Sequence, residues 1–276
     1  MPKSCKGRRG SELHKLDDKE NREKTKKMED GKLRNELTIF QAKIQEMHVG
    51  ENNAEKMREL FIPIAKRLLQ GGYFEVSSEG NVIRRVFPYT VEFYYHEEEV
   101  GGLKDYIVYH RNSDNPSKKP IEPFLINSFH THLSGIDVTF EGKHGDRVFR
   151  ASALIRAFQV LEGEDGFPTF DHEDKPAVNG FSTYLYNNLF MGIDIEKGLQ
   201  VRWKNLDWAP DGQLHNGYRY NVCKYEDIKP TKPNEWERHV KMTKKNHPDT
   251  SPQQMQDDKP WAFSRGEFKD LCKTQL

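Results

Sequence analysis

"ASALIRAFQVLEG", residues Ala151–Gly163, is the stretch of the chain that decides the fold. Its aliphatic and small side chains are typical of a buried β-strand, and a single charge, Arg156, interrupts them. "GIDVTFEG" (135–142) precedes it across the polar turn "GKHGDR" (142–147), so the two segments are predicted to form a β-hairpin. Asp137 interrupts the first segment in the same way. Because a buried charge needs a partner, we expect either an internal ion pair between Asp137 and Arg156 or a pocket that both residues line.

Two helices are predicted on the N-terminal side of this hairpin. "ELTIFQAKIQEM" (36–47) spaces its apolar residues at helical intervals. "NNAEKMRELFIPIAKRLLQGG" (52–72) does so over a longer stretch, and we expect it to begin at a capping box of Asn52 and Glu55. Pro63 lies inside this second helix and is predicted to kink or split it. Helices of this kind are far more often packing elements than catalytic ones.

The other patterns are mostly of the β type. Alternating aromatic and β-branched residues predict strands, and one segment has helical spacing instead. The predicted strands are "NVIRRVFPYTVEFYYHEE" (81–98), "KDYIVYHRN" (104–112), "GLQVRW" (198–203) and "GYRYNVCKY" (217–225). The predicted helix is "VNGFSTYLYNNLFMGI" (178–193). These elements together predict an α+β protein with a mainly antiparallel sheet.

The composition divides the chain into one domain and two charged ends. Residues 1–34 hold 12 basic and 7 acidic side chains and are predicted to be a disordered arm. Residues 35–228, with 21 basic and 29 acidic side chains, are predicted to form a single α+β domain. Residues 229–276, with 10 basic and 7 acidic side chains, are predicted to be a tail of loop with one short helix at most. The basic ends indicate either solvated tails or contact with a polyanion, whereas the acidic centre disfavours a broad nucleic-acid-binding face.

The sequence shows no sign of a membrane or secreted protein. It has no apolar run of about 18 residues and no apolar segment near its start, so we expect neither a spanning helix nor a secretory signal. The three cysteines, Cys5, Cys223 and Cys272, are far apart, which favours a reducing compartment over a disulfide framework or a zinc site. We expect the cytoplasm, with the nucleus left open because "CKGRRG" is too short to indicate nuclear import. We also expect a monomer, because no heptad or apolar interface stripe is present.

The predicted strand 81–98 carries the first candidate for chemistry. Alternation along a strand sends Glu92, Tyr94 and His96 to one face and Phe93 and Tyr95 to the other. A carboxylate shielded by aromatic rings can act as a general base. The alternatives are that Glu92 is an edge-strand carboxylate in water, or that it lines one pocket with the two charges of the hairpin.

A metal site is the second candidate. His130 and His132 are two residues apart in "FHTHLSG" and share a face if the segment is extended. A third ligand would have to come from Asp137, Glu141 or His144. Short motifs of this kind are weak, and we expect no metal.

Several of these pieces occur in the order found in one enzyme family. "ALIRAFQVLEG" (153–163) resembles the strand of the alkyladenine (3-methyladenine) DNA glycosylases that reads roughly Val-Leu-Ile-Arg-Ala, one polar residue, Pro-Leu-Glu-Gly. "EFY" (92–94) stands where that family has Glu-Ala-Tyr, and His110 stands where a histidine follows. "NGF" (179–181) stands where a helix opens with Asn-Gly-Pro. The resemblance spans about residues 84–195.

The resemblance implies a curved antiparallel sheet with flanking helices and the activity of a base-excision N-glycosylase of DNA repair. Such an enzyme flips a damaged purine out of the duplex and hydrolyses its glycosidic bond with water. Glu92 would activate the water, Arg156 would position the water or the carboxylate, and His110 would contact the base or the sugar-phosphate. Tyr94 would stack on the base. No metal or other cofactor is required, and the implied partner is DNA or a ligand that contains a nucleobase.

Three substrate-contacting positions depart from the family pattern. Asp137 stands where the family has an asparagine, and a second carboxylate near Glu92 would raise the pKa of Glu92 and repel phosphate. His130 stands where a tyrosine wedges into the duplex, and Asn127 stands where a second tyrosine stacks. A non-enzymatic domain that binds nucleic acid or protein with the same sheet is therefore an alternative function. A metal-dependent enzyme centred on His130 and His132 is another.

Overall fold

The computed structural model describes residues 31–108, 110–113, 115–132, 135–164, 180–181, 198–206, 212–219 and 259–266. Within these ranges the chain forms two helices, α1 (Gly31–Glu46) and α2 (Ala54–Gln70), and ten strands. The strands are β1 (Gly72–Ser78), β2 (Asn81–Glu97), β3 (Ser128–His132), β4 (Gly135–Thr139), β5 (Gly142–His144), β6 (Arg147–Glu162), β7 (Gly180–Phe181), β8 (Gln200–Asn205), β9 (His215–Gly217) and β10 (Ala262–Ser264). The predicted α+β class is confirmed, and the antiparallel sheet curls into a half-barrel.

Strand β2 lies at the centre of the sheet. One of its edges pairs with β6 over residues 84–97, and its other edge pairs first with β1 and then with β10. The sheet order is β3-β4-β6-β2-β1-β8, with β5 and β7 on β6 and β9 on β10. The hairpin predicted around residues 142–147 is confirmed, because β4 and β5 both pair antiparallel with β6.

The two helices cover one face of this sheet. Phe61 of α2 stacks on Phe93 of β2 with 4.5 Å between ring centroids, and Phe40 of α1 stacks on Phe61 at 5.6 Å. Val91 and Tyr95 belong to the same buried cluster. Every second side chain of β2 therefore faces the helices, and the residues between them face away, as alternation predicts.

Both predicted helices are present, with corrections at their ends. Gly31 begins α1, and Leu33 is fully buried, so the charged arm ends before the predicted residue 34. Residues 1–30 lie outside the described residues. Pro63 does not split α2, which continues from Ala54 to Gln70. Apolar residues packed into the core on both sides of Pro63 hold the helix together at the position where proline removes a backbone hydrogen bond.

The predicted capping residue of α2 is wrong by one position. Asn53 caps the helix, because its side chain accepts a hydrogen bond from the Lys56 backbone N–H at 2.9 Å. Asn52 is buried and donates its amide to Tyr95 and Glu97 of β2 instead. The side chain of Asn52 therefore ties the start of α2 to the sheet.

The segment "KDYIVYHRN" (104–112) is not a strand in its described residues. The Asp105 carboxylate is buried in an ion pair with Arg219, and the Val108 N–H donates to the Asp105 carbonyl at 3.2 Å, which closes a turn. His110 consequently lies in an irregular segment and not at a strand end.

Part of the predicted C-terminal tail belongs to the sheet. Residues 262–264 form β10, and the neighbouring Trp261 is fully buried against Phe61. This strand pairs with the part of β2 that lies beyond the end of β1, so it covers an edge that would otherwise be open.

Two further predictions fall partly outside the described residues. Within the predicted helix 178–193, Gly180 and Phe181 pair with β6 as a short strand because their backbone groups join its ladder. The rest of that segment lies outside the described residues. Of the predicted strand 217–225, only residue 217 is in a strand, and 220–225 lie outside. Neither α1 nor α2 is long and apolar enough to cross a membrane.

Candidate functional site

The face of the sheet turned away from the helices carries a row of polar side chains. Asp137 of β4 and Glu92 of β2 are both in register with Leu154 of β6, and His130 of β3 is in register with Asp137. Residues in register share a face of a sheet. Antiparallel pairing across four strands therefore brings together three candidate residues that are distant in the sequence.

Glu92 is the buried centre of this row. Its side chain is 1% exposed, and the Tyr94 hydroxyl donates to its Oε2 at 3.1 Å. Arg156 Nε lies 3.4 Å from its Oε1. The carboxylate thus contacts a neutral donor and a cation that come from two strands.

Arg156 lies at an irregularity in the pairing of β2 with β6. Thr90 is in register with Ala157 and Val91 with Ile155, so Arg156 is the extra residue of a β-bulge. A second irregularity follows Pro88, which has no N–H to give to the ladder. Bulges redirect side chains and are common beside active sites.

Asp137 lies in the same neighbourhood and is 3% exposed. The Ser152 hydroxyl donates to its Oδ2 at 3.3 Å. Burial raises the pKa of the Tyr94 phenol. The neighbouring carboxylates of Glu92 and Asp137 raise it further. Arg156, the cation that the sequence suggests as a partner for Asp137, makes an ion pair with Glu92.

Tyr94 is held by a residue that the sequence did not reveal. The Arg219 guanidinium lies over the Tyr94 ring, 4.7 Å from its centroid. Arg219 also donates to both carboxylate oxygens of Asp105, at 2.6 and 3.2 Å, and to the Phe93 carbonyl at 3.1 Å. The Tyr94 ring, which the resemblance implies would stack on a base, thus has the Arg219 guanidinium against it.

His110 belongs to a second polar cluster. Its Nδ1 lies 2.9 Å from Glu141 Oε1, and Glu141 also accepts from the Phe124 N–H at 2.8 Å. Arg150 contacts Glu141 at 3.2 Å and Glu98 at 2.7 Å. The sequence considered Glu141 only as a metal ligand, and the structure shows that it positions His110.

Aromatic rings connect the two clusters. His110 stacks on Phe124 at 3.6 Å between centroids, and Phe124 stacks on His130 at 4.3 Å. His130 is in register with Asp137, so this column of rings ends beside the row that contains Glu92. His130 is consequently part of a ring stack.

Asn127 lies just before β3 in a left-handed backbone conformation, with φ of 58°. Its N–H donates to the Thr139 carbonyl at 2.8 Å, so it fixes the approach of the chain to the polar row. Asparagine tolerates this conformation better than most residues. The structure therefore gives Asn127 a role in the backbone, next to the predicted substrate contacts.

The described residues contain no group of three or more His, Cys, Asp or Glu side chains placed to hold a metal ion. Of the ligands considered with His130, Glu141 contacts His110, and His144 is exposed on β5.

Comparisons with protein-family models, with curated protein sequences and with solved structures give no match to this chain. The function must therefore be inferred from the site itself.

Proposed function

We propose that this protein is an N-glycosylase that hydrolyses the glycosidic bond of a flipped purine nucleotide in DNA, with Glu92 as the general base. One observation carries the proposal: a carboxylate that is 1% exposed lies on the polar face of a curled sheet, with a phenol at 3.1 Å and a guanidinium at 3.4 Å. A buried charge of this kind is costly unless it is paired, and such groups are concentrated at functional sites.

The chemistry needs few groups. Water attacks C1′ of the sugar, the C1′–N bond breaks, and its electron pair leaves with the purine. Glu92 takes the proton of the water, and general-base catalysis of this type contributes about 10²- to 10⁴-fold to a rate. Arg156 and the Tyr94 hydroxyl favour the ionised form of Glu92, which is the form that can accept this proton.

The surroundings of Glu92 favour recognition of a base over recognition of a phosphate. Asp137 places a second carboxylate in the same row, which repels phosphate and accepts hydrogen bonds from amino or protonated ring nitrogens. His130 and Phe124 add a stack of rings beside it. A purine cation, such as a methylated purine, fits an acidic site lined by rings.

The proposal is tested on duplex oligonucleotides that each contain one methylated purine or one hypoxanthine. We expect the wild-type chain to release a free base from at least one of these duplexes, and we expect Glu92→Gln to reduce the release about 10²- to 10⁴-fold. Glu162→Gln is the matched control. Glu162 lies on β6, its side chain is 69% exposed, and it pairs with Arg84 at 2.9 Å.

The alternative of a non-enzymatic binding domain predicts a different result. In that case the wild-type chain binds the duplexes or single strands and releases no base from any lesion. This outcome, with a folded protein, overturns the proposal.

A further inference from the structure

We propose that Arg219, held by Asp105, is the positioning residue of the site: it fixes the Tyr94 ring so that the phenol donates to Glu92. Neither residue was a candidate in the sequence, and the inference deepens the proposed function, on which its catalytic meaning rests. Arg219 does not touch the reacting atoms and acts through Tyr94.

The Arg219–Asp105 pair is among the most buried charge pairs of the described residues. The two side chains are 0% and 1% exposed, and the guanidinium makes a two-pronged contact with the carboxylate at 2.6 and 3.2 Å. Burial works against ionisation of Asp105, but the charge and hydrogen bonds of Arg219 outweigh it and hold the pKa of Asp105 below its usual range. Such a planar, bidentate pair fixes the orientation of the guanidinium.

That orientation determines where the Tyr94 ring lies. The guanidinium is 4.7 Å from the Tyr94 centroid and 5.4 Å from the centroid of Trp261, and it donates to the Phe93 carbonyl at 3.1 Å. Arg219 therefore contacts both the β2 backbone at Phe93 and the ring of the next residue, Tyr94. A cation over an aromatic face stabilises that arrangement by about 0.5 to 2 kcal/mol.

Asp105 is itself anchored to β2 on the other side of Tyr94. Its backbone N–H donates to His96 Nδ1 at 3.2 Å, and its Oδ2 accepts from the Tyr95 N–H at 3.4 Å. The turn that contains Asp105 is thus held against β2. Arg219 in turn contacts both Asp105 and the Tyr94 ring. Among the described residues, the charged groups that act on the Tyr94 phenol are Glu92 on its own strand, Arg156 on β6, Asp137 on β4 and Arg219 from the segment 212–219.

The experiment measures the ionisation of Glu92 directly, so it does not depend on finding the lesion. Protein labelled with carbon-13 at the glutamate carboxyl carbon is titrated by NMR, and the Glu92 signal is assigned by its loss in Glu92→Gln. Tyr94→Phe removes the donor, and we expect the Glu92 titration midpoint to rise by roughly one pH unit, the worth of one hydrogen bond to a charged group.

The decisive variant is the double substitution Asp105→Asn/Arg219→Gln. It removes one negative and one positive charge together, so it leaves the net charge near Glu92 unchanged and keeps amide groups that can hydrogen-bond. If Arg219 positions Tyr94, the Glu92 midpoint rises as it does in Tyr94→Phe, and adding Tyr94→Phe to the double variant raises it no further. Arg219→Lys keeps the charge without the planar fork. Its Glu92 midpoint is expected to lie between those of the wild type and the double variant.

A purely structural role gives a different pattern. The double variant then loses thermal stability while the Glu92 midpoint stays at the wild-type value, and this result overturns the inference. Glu162→Gln again serves as the control and leaves the midpoint unchanged. Failure of the proposed function looks different, because base release is then absent in the wild type while the midpoint still responds to Tyr94 and Arg219.

Discussion

Strand β2 carries two buried glutamates, each with a tyrosine and an arginine as neighbours. Glu92 and Glu97 are 1% and 0% exposed, each has a tyrosine two residues away on β2 that donates to it, and each is paired with an arginine of β6. They lie on opposite faces. Glu97 faces the helices, whereas Glu92 faces away from them.

Among the described residues, the contacts of the two carboxylates differ in length. Glu97 accepts from Asn52 and from the Leu103 N–H, both at 2.7 Å, as well as from Tyr95 and from Arg147. Burial works against ionisation of Glu97, but these four donors outweigh it and hold the pKa of Glu97 below its usual range. Glu92 has its described contacts at 3.1 and 3.4 Å. We therefore expect the Glu97 carboxylate to contribute more to the stability of the fold than the Glu92 carboxylate does.

The largest effect on stability is expected at Glu97. Glu97→Gln leaves the Arg147 guanidinium beside a neutral amide, and breaking a buried pair in this way costs about 3 to 5 kcal/mol. Glu92→Gln is expected to lower the free energy of unfolding by less than Glu97→Gln does, because the Glu92 carboxylate lies 3.4 Å from Arg156 Nε whereas Glu97 makes a shorter contact with Arg147. Denaturant unfolding monitored by circular dichroism measures both. Equal losses in the two variants contradict the distinction between the carboxylates.

Acid is expected to weaken the fold first at His96, which follows Tyr94 on the same face of β2 as Glu92. Burial lowers the pKa of His96 to about 4 from 6.5, against the opposing effect of Glu98. The folded state therefore favours the neutral imidazole, so this stabilisation is fully present above pH 6.5 and is lost as the pH falls from 6.5 towards 4. Asp105 and Glu97, whose pKa values are also depressed, lose their contributions at lower pH.

The corresponding experiment follows the unfolding free energy between pH 8 and pH 4 in the wild type and in His96→Gln. As the pH falls below 6.5, the ordinary pKa of histidine, the wild type is expected to lose up to about 1.4 kcal/mol of unfolding free energy per pH unit, which is the slope for one proton. The variant is expected to have a flatter curve over this interval. Parallel curves show that His96 is not the group responsible.

The smallest expected effect concerns Asp137, the second carboxylate of the functional region. Asp137→Asn removes a negative charge from the row that contains Glu92, so we expect DNA to bind about threefold to tenfold more tightly at low ionic strength, with the gain fading in high salt. Fluorescence anisotropy with a labelled duplex measures this, and Asp146→Asn, at the exposed β5–β6 turn, is the control. Equal gains in DNA affinity in both variants show that Asp137 affects DNA binding only as one negative charge among others on the protein.

Local sequence patterns predicted the long strands β2 and β6 and the faces of their residues. The alternation in "TVEFYYHEE" placed Glu92 and Tyr94 on one face and Phe93 on the other because that pattern depends only on neighbouring residues. The partner of Arg156 depends on the pairing of β2 with β6, which is set by long-range register.

The parts that the sequence did not predict are those that come from distant segments. Arg219 meets Asp105 across 114 positions, and β10 is three residues long within a segment of charged and polar residues. An aspartate inside the aromatic run "KDYIVYH" was the available signal for Asp105, of the same kind as Asp137 in its strand. Such a signal indicates that a partner exists but not which residue it is.

The most direct test of the central claim measures single-turnover release of free base and unfolding free energy for the same two variants, Glu92→Gln and Glu97→Gln. The account predicts that Glu92→Gln loses about 10²- to 10⁴-fold in release rate and loses less stability than Glu97→Gln does. It predicts that Glu97→Gln loses stability and, where it remains folded, releases base at close to the wild-type rate. Wild-type rates of release in Glu92→Gln contradict the claim that this carboxylate is the general base.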